Sequence, residues 1–274
     1  VLAALLALAF GLLIGSFLNV CIHRMPRDLS VVRPRSHCPA CQRTIAWYDN
    51  IPVASYLLLR GRCRHCGAHI SARYPVVELL TGLLFFSYLL LFGPTPEAAR
   101  RCLFGALLVG LAFTDLEERI LPDEFTLGGA AAGVVLAWFV PVPDLMARAL
   151  FWLLDLPVQG RWVSVSEALL GAALPAFFLW FGGVVYLKLR RREGLGLGDV
   201  KLMLLIGAFL GLRGALLTLI VGSLFGSLLG YAYIRITRQD PATYELPFGT
   251  FLGFAGIFVS LAGPRLIDWY AGFY

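Results

Sequence analysis

The chain has 274 residues, 59% hydrophobic and 15% charged, with a mean hydropathy of +0.78 and a formal net charge of +6. Soluble domains carry nearer a quarter charged residues, so the composition excludes an ordinary soluble globule and indicates a polytopic membrane protein. The positive balance requires no nucleic acid, because membrane proteins gather Lys and Arg in their cytoplasmic loops.

Eight apolar segments of spanning or near-spanning length are expected, at about 1–22, 75–92, 98–114, 124–140, 166–187, 200–211, 214–235 and 247–270. The chain opens at Val1, so the native start is expected upstream. Val1–Val20 is too long for a signal-peptide core and lacks a small-residue cleavage site, and it reads as a retained helix.

The stretch 23–73 follows, rich in arginine. It contains Cys38-Pro-Ala-Cys41 and Cys63-Arg-His-Cys66, two CxxC knuckles separated by 21 residues. Each knuckle can offer two thiolates to one tetrahedral ion, and two close its shell. A structural zinc is the expected occupant, with no open position for hydrolysis, in a loop too poor in apolar residues to build its own core. A histidine among His37, His65 and His69 could substitute as a ligand, though exposed loop positions suit them better. Cys21 and Cys102 lie in apolar segments and read as packing residues.

Asp115 ends the third segment, in AFTDLEERILPDEFT. Alone it would read as a helix-end residue paired with Arg119. Asp123 and Glu124 open the fourth segment, where Asp123 suits either a helix cap or support of a site. Glu117, Glu118 and Glu245 could face a basic substrate segment, and solvated faces are the simpler reading. The segment 141–163, with Trp152 and Trp162, is amphipathic and reads as a short interfacial helix or hairpin.

Asp199 stands in GLGLGDVKLMLL, after Gly196 and Gly198, at the mouth of the sixth apolar run. A carboxylate at the edge of hydrocarbon is costly and usually functional. Glycines recur four apart at Gly11/Gly15, Gly207/Gly211, Gly222/Gly226/Gly230 and Gly249/Gly253, a spacing that lets helices approach closely.

Charge sets the topology. The loop 23–73, the run Lys188, Arg190, Arg191 and Arg192, the pair Arg235 and Arg238, and Arg119 are all expected to be cytoplasmic. Arg100, Arg101, Arg148, Arg161, Arg213 and Arg265 then fall outside. Asp115 and Asp199 both reach the cytoplasmic face. Two carboxyls at one depth can share a proton and divide the acid and base roles of peptide hydrolysis. All four histidines lie in the first loop and no HExxH occurs, which removes a zinc protease or serine–histidine dyad within the bilayer. A proton-coupled or ion-coupled transporter is the rival from another class, since buried acids and broken helices also bind ions. An assembly factor organised by zinc is a third reading.

Together GSFLNVCIHRMP, the two CxxC pairs, YDNIPVASYLLLRGRC, ISARYPVVELLTG, TDLEERILPDEFT, GLGLGDVKLM and LPFGTFLG resemble the bacterial type IV prepilin peptidases. These are bifunctional leader peptidases and N-methyltransferases of the GxGD aspartyl protease type. The resemblance covers nearly the whole chain. It implies an all-α polytopic membrane protein of about eight transmembrane helices with a small zinc-ribbon-like cytoplasmic domain between helices 1 and 2. The division would be 1–22 as the first helix, 23–73 as the four-cysteine zinc domain associated with methyl transfer, and 74–274 as the aspartyl peptidase domain. Asp115 and Asp199 would be the catalytic acids, with Asp123, Gly196, Gly198, Lys201, Pro247 and Gly249 supporting them or meeting substrate. Cys38, Cys41, Cys63 and Cys66 would hold zinc. The basic leader of a type IV prepilin or type II secretion pseudopilin would be removed at the cytoplasmic face of the bacterial inner membrane. The new amino terminus would then be methylated from S-adenosylmethionine, with peptidase activity alone as the alternative. No glycine-rich Rossmann fingerprint is present. Asn19, Arg24, Asp49, Asn50, Arg73 and Glu78 are the candidates for methyl-donor contact, with loop anchoring an equal reading.

Overall fold

The computed structural model describes residues 1–142, 146–155, 160–191, 196–237 and 246–272. Arg192, Arg238 and Glu245, weighed above as loop charges, lie outside the described residues, as does the side chain of Arg265. Among the described residues the secondary structure is helical, with no strand beyond two isolated bridges. Two compact units divide the chain, Val1–Thr114 and Asp115–Tyr274.

In the first unit α1 spans Leu2–Arg24 and runs into a 3-10 turn at Met25–Arg27. Pro26 cannot continue the α-helical hydrogen bonds, so the helix tightens and stops there. A 3-10 turn at Trp47–Asn50 and the short α2, Ala54–Leu58, punctuate the loop. Next come α3, Arg73–Phe92, and α4, Pro96–Glu118, whose last residues belong to the second unit. Gly93, at φ 67, ends α3. The Thr95 hydroxyl accepts the Ala98 N–H at 3.2 Å and caps α4. The α1 and α3 backbones meet closely: a Cβ on Gly15 would stand 2.6 Å from the Glu78 Cα, so only glycine allows the contact.

The second unit contains α5 (Asp123–Ala137), α6 (Met146–Leu153), α7 (Arg161–Arg190), α8 (Leu197–Thr237) and α9 (Phe248–Ala271). The α6 helix falls inside the stretch expected to be interfacial, and its end leaves Trp152 and Leu153 exposed. Residues 143–145 and 156–159 of that stretch are outside the described set. The sixth and seventh apolar segments are continuous in α8 except at Gly211, where φ 68 and ψ −177 interrupt the helix and turn its axis. A positive φ of this kind is cheap only for glycine, so Gly211 serves a break where the sequence suggested helix packing. The fully buried Glu167 serves the break. Its Oε1 accepts the Leu212 N–H at 3.2 Å, just past Gly211, and its Oε2 accepts the Ala147 N–H at 2.9 Å in the first turn of α6. A carboxylate suits the unsatisfied N–H groups that open two helices.

Among the described residues, four stretches are long and apolar enough to cross a membrane: Leu2–Arg27, Arg73–Phe92, Arg161–Arg190 and Leu197–Thr237. A shorter apolar helix covers Phe248–Gly263.

Candidate active site and metal centre

The first unit holds a cluster of four thiols. The two knuckles repeat one backbone pattern. The Cys38 N–H donates to the Arg43 carbonyl at 2.9 Å and the Gln42 N–H to the Cys38 carbonyl at 2.8 Å. In the second knuckle the Cys63 N–H donates to Ala68 at 2.8 Å and the Gly67 N–H to Cys63 at 2.9 Å. Gln42 and Gly67 occupy the same place in each turn, both with positive φ. The antiparallel bridges His37–Thr44 and Arg62–His69 close the two bases.

The sulfur atoms of Cys38, Cys41, Cys63 and Cys66 all lie within 4.8 Å of one another, and Cys38 Sγ to Cys66 Sγ is 3.8 Å. A tetrahedron with metal–sulfur bonds of about 2.3 Å has edges of about 3.8 Å, so the donor set fits zinc. All four are free thiols. Among the four sulfurs the backbone N–H groups of Cys66 and His65 draw the Cys63 thiol down to about 6, while Cys66 is pushed up to about 11. Two of the loop histidines point to other partners: His37 Nδ1 lies 3.3 Å from the Arg35 carbonyl, and His65 Nδ1 lies 3.3 Å from Arg43 Nη1.

The six residues proposed for methyl-donor contact separate into distinct roles. Asn19 Nδ2 donates to the Tyr74 carbonyl at 3.0 Å, tying α1 to α3. Glu78 Oε2 accepts the Val53 N–H at 2.8 Å and anchors the loop to α3. The Arg73 guanidinium lies over the Tyr74 ring at 4.6 Å. Arg24 donates to the Ser30 carbonyl at 2.9 Å and the Pro34 carbonyl at 2.8 Å, fastening the loop to the end of α1. Asp49 takes a fork from Arg64, with Nη2–Oδ1 at 2.6 Å and Nε–Oδ2 at 2.8 Å. The Arg64 guanidinium holds the Asp49 carboxyl below the usual carboxylate range. Arg24 and Asn50 border a cavity of about 320 Å³, together with Arg35, Ser36, Ile45 and Trp47.

The second unit assembles the acids. Asp115 is buried near the end of α4. Its Oδ2 accepts the Thr250 N–H at 2.6 Å and the Thr250 hydroxyl at 2.8 Å. This clamp at the start of α9 holds the carboxylate, and Arg119 is close enough to act on it through its charge. The backbone just after Asp115 turns sharply, with Arg119 at φ 56. Asp199 lies half-buried in the first turn of α8, its N–H donating to the Gly196 carbonyl at 3.2 Å. It is close enough to Asp115 for their charges to interact.

Leu121 fills the gap between the elements. A Cβ on Gly198 would stand 3.1 Å from the Leu121 Cδ1, and one on Gly249 would stand 3.0 Å from the same atom and 3.1 Å from the Asp115 Cγ. Both glycines therefore leave the room in which the acid-bearing elements meet. Pro247 is buried just ahead of α9. Asp123 sits in the first turn of α5, where Pro122 takes the cap position without a side-chain hydrogen bond. Its carboxylate instead receives Lys201 Nζ at 2.7 and 3.0 Å, joining the starts of α5 and α8.

Thr250 was not among the expected site residues. Its signal was its position next to Gly249 in LPFGTFLG, but spacing could not reveal that both its donors turn to Asp115. The Arg64 fork to Asp49 was missed for the same reason: an exposed arginine looks ordinary until the loop is folded.

Comparison with known proteins finds two family models along the chain. Residues 9–92 match the model of the bacterial peptidase A24 N-terminal domain, and residues 102–231 match that of the type IV leader peptidase family. A prepilin leader peptidase/N-methyltransferase of Myxococcus xanthus is 43% identical over 88% of this chain, the match spanning 66% of that protein. One from Aeromonas hydrophila is 36% identical over 97% of this chain and 92% of its own length. A type 4 prepilin-like proteins leader peptide-processing enzyme of Escherichia coli is 37% identical over 92% of this chain and 91% of its own length. No solved structure matches the chain. With both domains matched in order and the likeness running nearly end to end, the chain belongs to the type IV leader peptidase family.

Proposed function

We propose that this chain removes the basic leader of type IV prepilins or type II secretion pseudopilins and then N-methylates the exposed amino terminus. The observation that carries the peptidase half is the approach of Asp115 and Asp199 from the ends of α4 and α8. One carboxylate takes a proton from water while the other gives a proton to the leaving nitrogen. Asp115 Oδ2 already accepts two donors from Thr250, so its other oxygen is the one that exchanges a proton. Lys201 and Asp123 brace the starts of α8 and α5.

The membrane arrangement is part of the same reading. The apolar segments supply eight crossings, and the arginine distribution turns the loop 23–73 and both aspartates to the cytoplasmic face of the inner membrane. The break at Gly211 supports separate sixth and seventh crossings. The prepilin's apolar helix enters the bilayer and its basic leader remains in the cytoplasm, so the scissile bond lies at the depth of the acids. Residues 23–73 form the zinc domain and 74–274 the peptidase domain. Zinc in the four-thiolate shell is structural, and S-adenosylmethionine supplies the methyl group.

The test is direct. Purified protein is incubated with a prepilin and S-adenosylmethionine, and the product is weighed. A shortened, methylated product supports both halves; a shortened product alone supports the peptidase; an unchanged prepilin sinks the proposal.

A further inference from the structure

Between the two cysteine knuckles runs an uncharged, largely apolar segment, IPVASYLLL at 51–59. It contains α2, and the entry to that helix is tied to α3. The Val53 N–H, just ahead of α2, donates to Glu78 Oε2 at 2.8 Å. Glu78 lies about 7.5 Å inside α3, counting about 1.5 Å per residue from Arg73. It is buried where α3 meets α1, opposite Gly15. Val53 itself holds φ 58, a conformation that a β-branched residue adopts only when its surroundings impose it. The start of α2 is therefore fixed beside the α1–α3 pair, at a level inside the apolar stretch Arg73–Phe92.

From that anchor α2 turns leucines outward. Leu57 is 67% exposed and Leu58 83% exposed. Two adjacent leucines so open to water are unfavourable, and a helix of five residues has no stability of its own to set against them. The polar groups around them are already satisfied. The N–H groups of Ser55, Leu57, Leu59, Arg60, Gly61 and Arg62 all donate to carbonyls within 51–59, and the Ser55 hydroxyl donates to the Ile51 carbonyl at 2.7 Å. Hydrocarbon demands this internal pairing of the backbone, whereas water does not. Arg60 at φ 51 and Gly61 at φ 67 then reverse the chain toward the second knuckle. Arg60 and Arg62 are exposed directly after the leucines. Acyl chains followed by phosphates is the order met on leaving a leaflet, and an apolar tip followed by guanidinium groups matches it.

We propose that α2 is a membrane foot of the knuckle loop: Leu57 and Leu58 enter the edge of the leaflet from which α3 starts, and Arg60 and Arg62 meet its phosphates. The partner is phospholipid, because the tie to Glu78 sets the foot at the depth of a membrane span. The inference needs α1 and α3 to cross the bilayer and uses nothing of the peptidase or methyltransferase reading. It gives a loop with little apolar interior an attachment between its two helix ends.

The test is photolabelling of the full-length, zinc-loaded protein in bilayer nanodiscs. The probe is a phosphatidylglycerol with a diazirine near the top of one acyl chain, and adducts are mapped by mass spectrometry. Leu79 and Leu83, exposed on α3, are the lipid-facing standard, and residues 63–69 of the second knuckle are the aqueous one. Leu57 and Leu58 are expected to label within about threefold of Leu79 and Leu83. Leu57→Glu combined with Leu58→Glu is expected to lower adducts at 54–59 about tenfold, with zinc content and Leu79 labelling unchanged. If Leu79 and Leu83 label while 54–59 stay at the level of 63–69, the proposal is overturned, whether water, a second copy or a prepilin covers the leucines. Undiminished adducts in the double variant overturn it too, since the leucines then do not carry the contact. If Leu79 and Leu83 also fail to label, α3 does not face lipid and the foot falls with the membrane reading. Should the double variant shed zinc, the wild-type pattern decides.

Discussion

The knuckle loop and the aspartate site are held by opposite means. Between Met25 and Arg73 only Cys38 and Gly61 are buried, so the loop has almost no apolar interior. It depends on four sulfurs, one arginine fork and backbone turns. The first half of α8, by contrast, buries Leu202, Met203, Leu205 and Ile206 completely, and it carries Asp199 on a packed helix. A site resting on an ion fails when the ion leaves. A site resting on helix packing tolerates loss of its reacting groups. Chemistry and folding should therefore separate in the second unit and stay coupled in the first.

The strongest way to break that contrast is at the acids. Asp115→Asn or Asp199→Asn should lower prepilin cleavage by about 10³-fold or more, within reach of what acid–base groups contribute. Helix content by circular dichroism and zinc content should not change. A variant that unfolds would show that the acids serve folding after all.

Metal removal tests the other side. A chelator, or Cys63→Ser, should strip zinc and open the loop between residues 28 and 72 to proteolysis, because structural zinc contributes about 10 kcal/mol or more to such folds. The helices of the second unit should keep their circular dichroism signal. If they melt together with the loop, the contrast is wrong.

Smaller effects sharpen it. Thr250→Val keeps the shape and removes one hydrogen bond to a charged oxygen, a loss of about 1.5–3 kcal/mol that corresponds to roughly 10- to 100-fold in kcat. Thr250→Ser should restore most of it, since the hydroxyl returns. Lys201→Met breaks a partly exposed ion pair worth about 0.2–1 kcal/mol, so cleavage should fall by less than about fivefold. A larger loss, measured as kcat at saturating prepilin, would make Lys201 part of the chemistry.

The two regions also differed in how readily they were read from sequence. CxxC spacing is local, and it announced the thiolate cluster because two cysteines three apart must share a turn. Asp115 and Asp199 are paired in the sequence by expected topology, in which the arginine-rich loops are cytoplasmic and both acids fall at that face. What escaped notice depends on side-chain direction. Thr250 donates twice to Asp115, and Arg64 grips Asp49, through rotamers that no spacing encodes. Glu167 was overlooked because its value lies in a break at Gly211 that the glycine spacing had suggested was helix packing.

The most direct test compares the purified Asp115→Asn, Asp199→Asn and double variants in prepilin cleavage. Two acids acting as one unit predict that each single change costs as much as both together, with residual rates equal within a few-fold. Cleavage near the wild-type rate in either single variant, or losses that multiply in the double, would contradict a shared site.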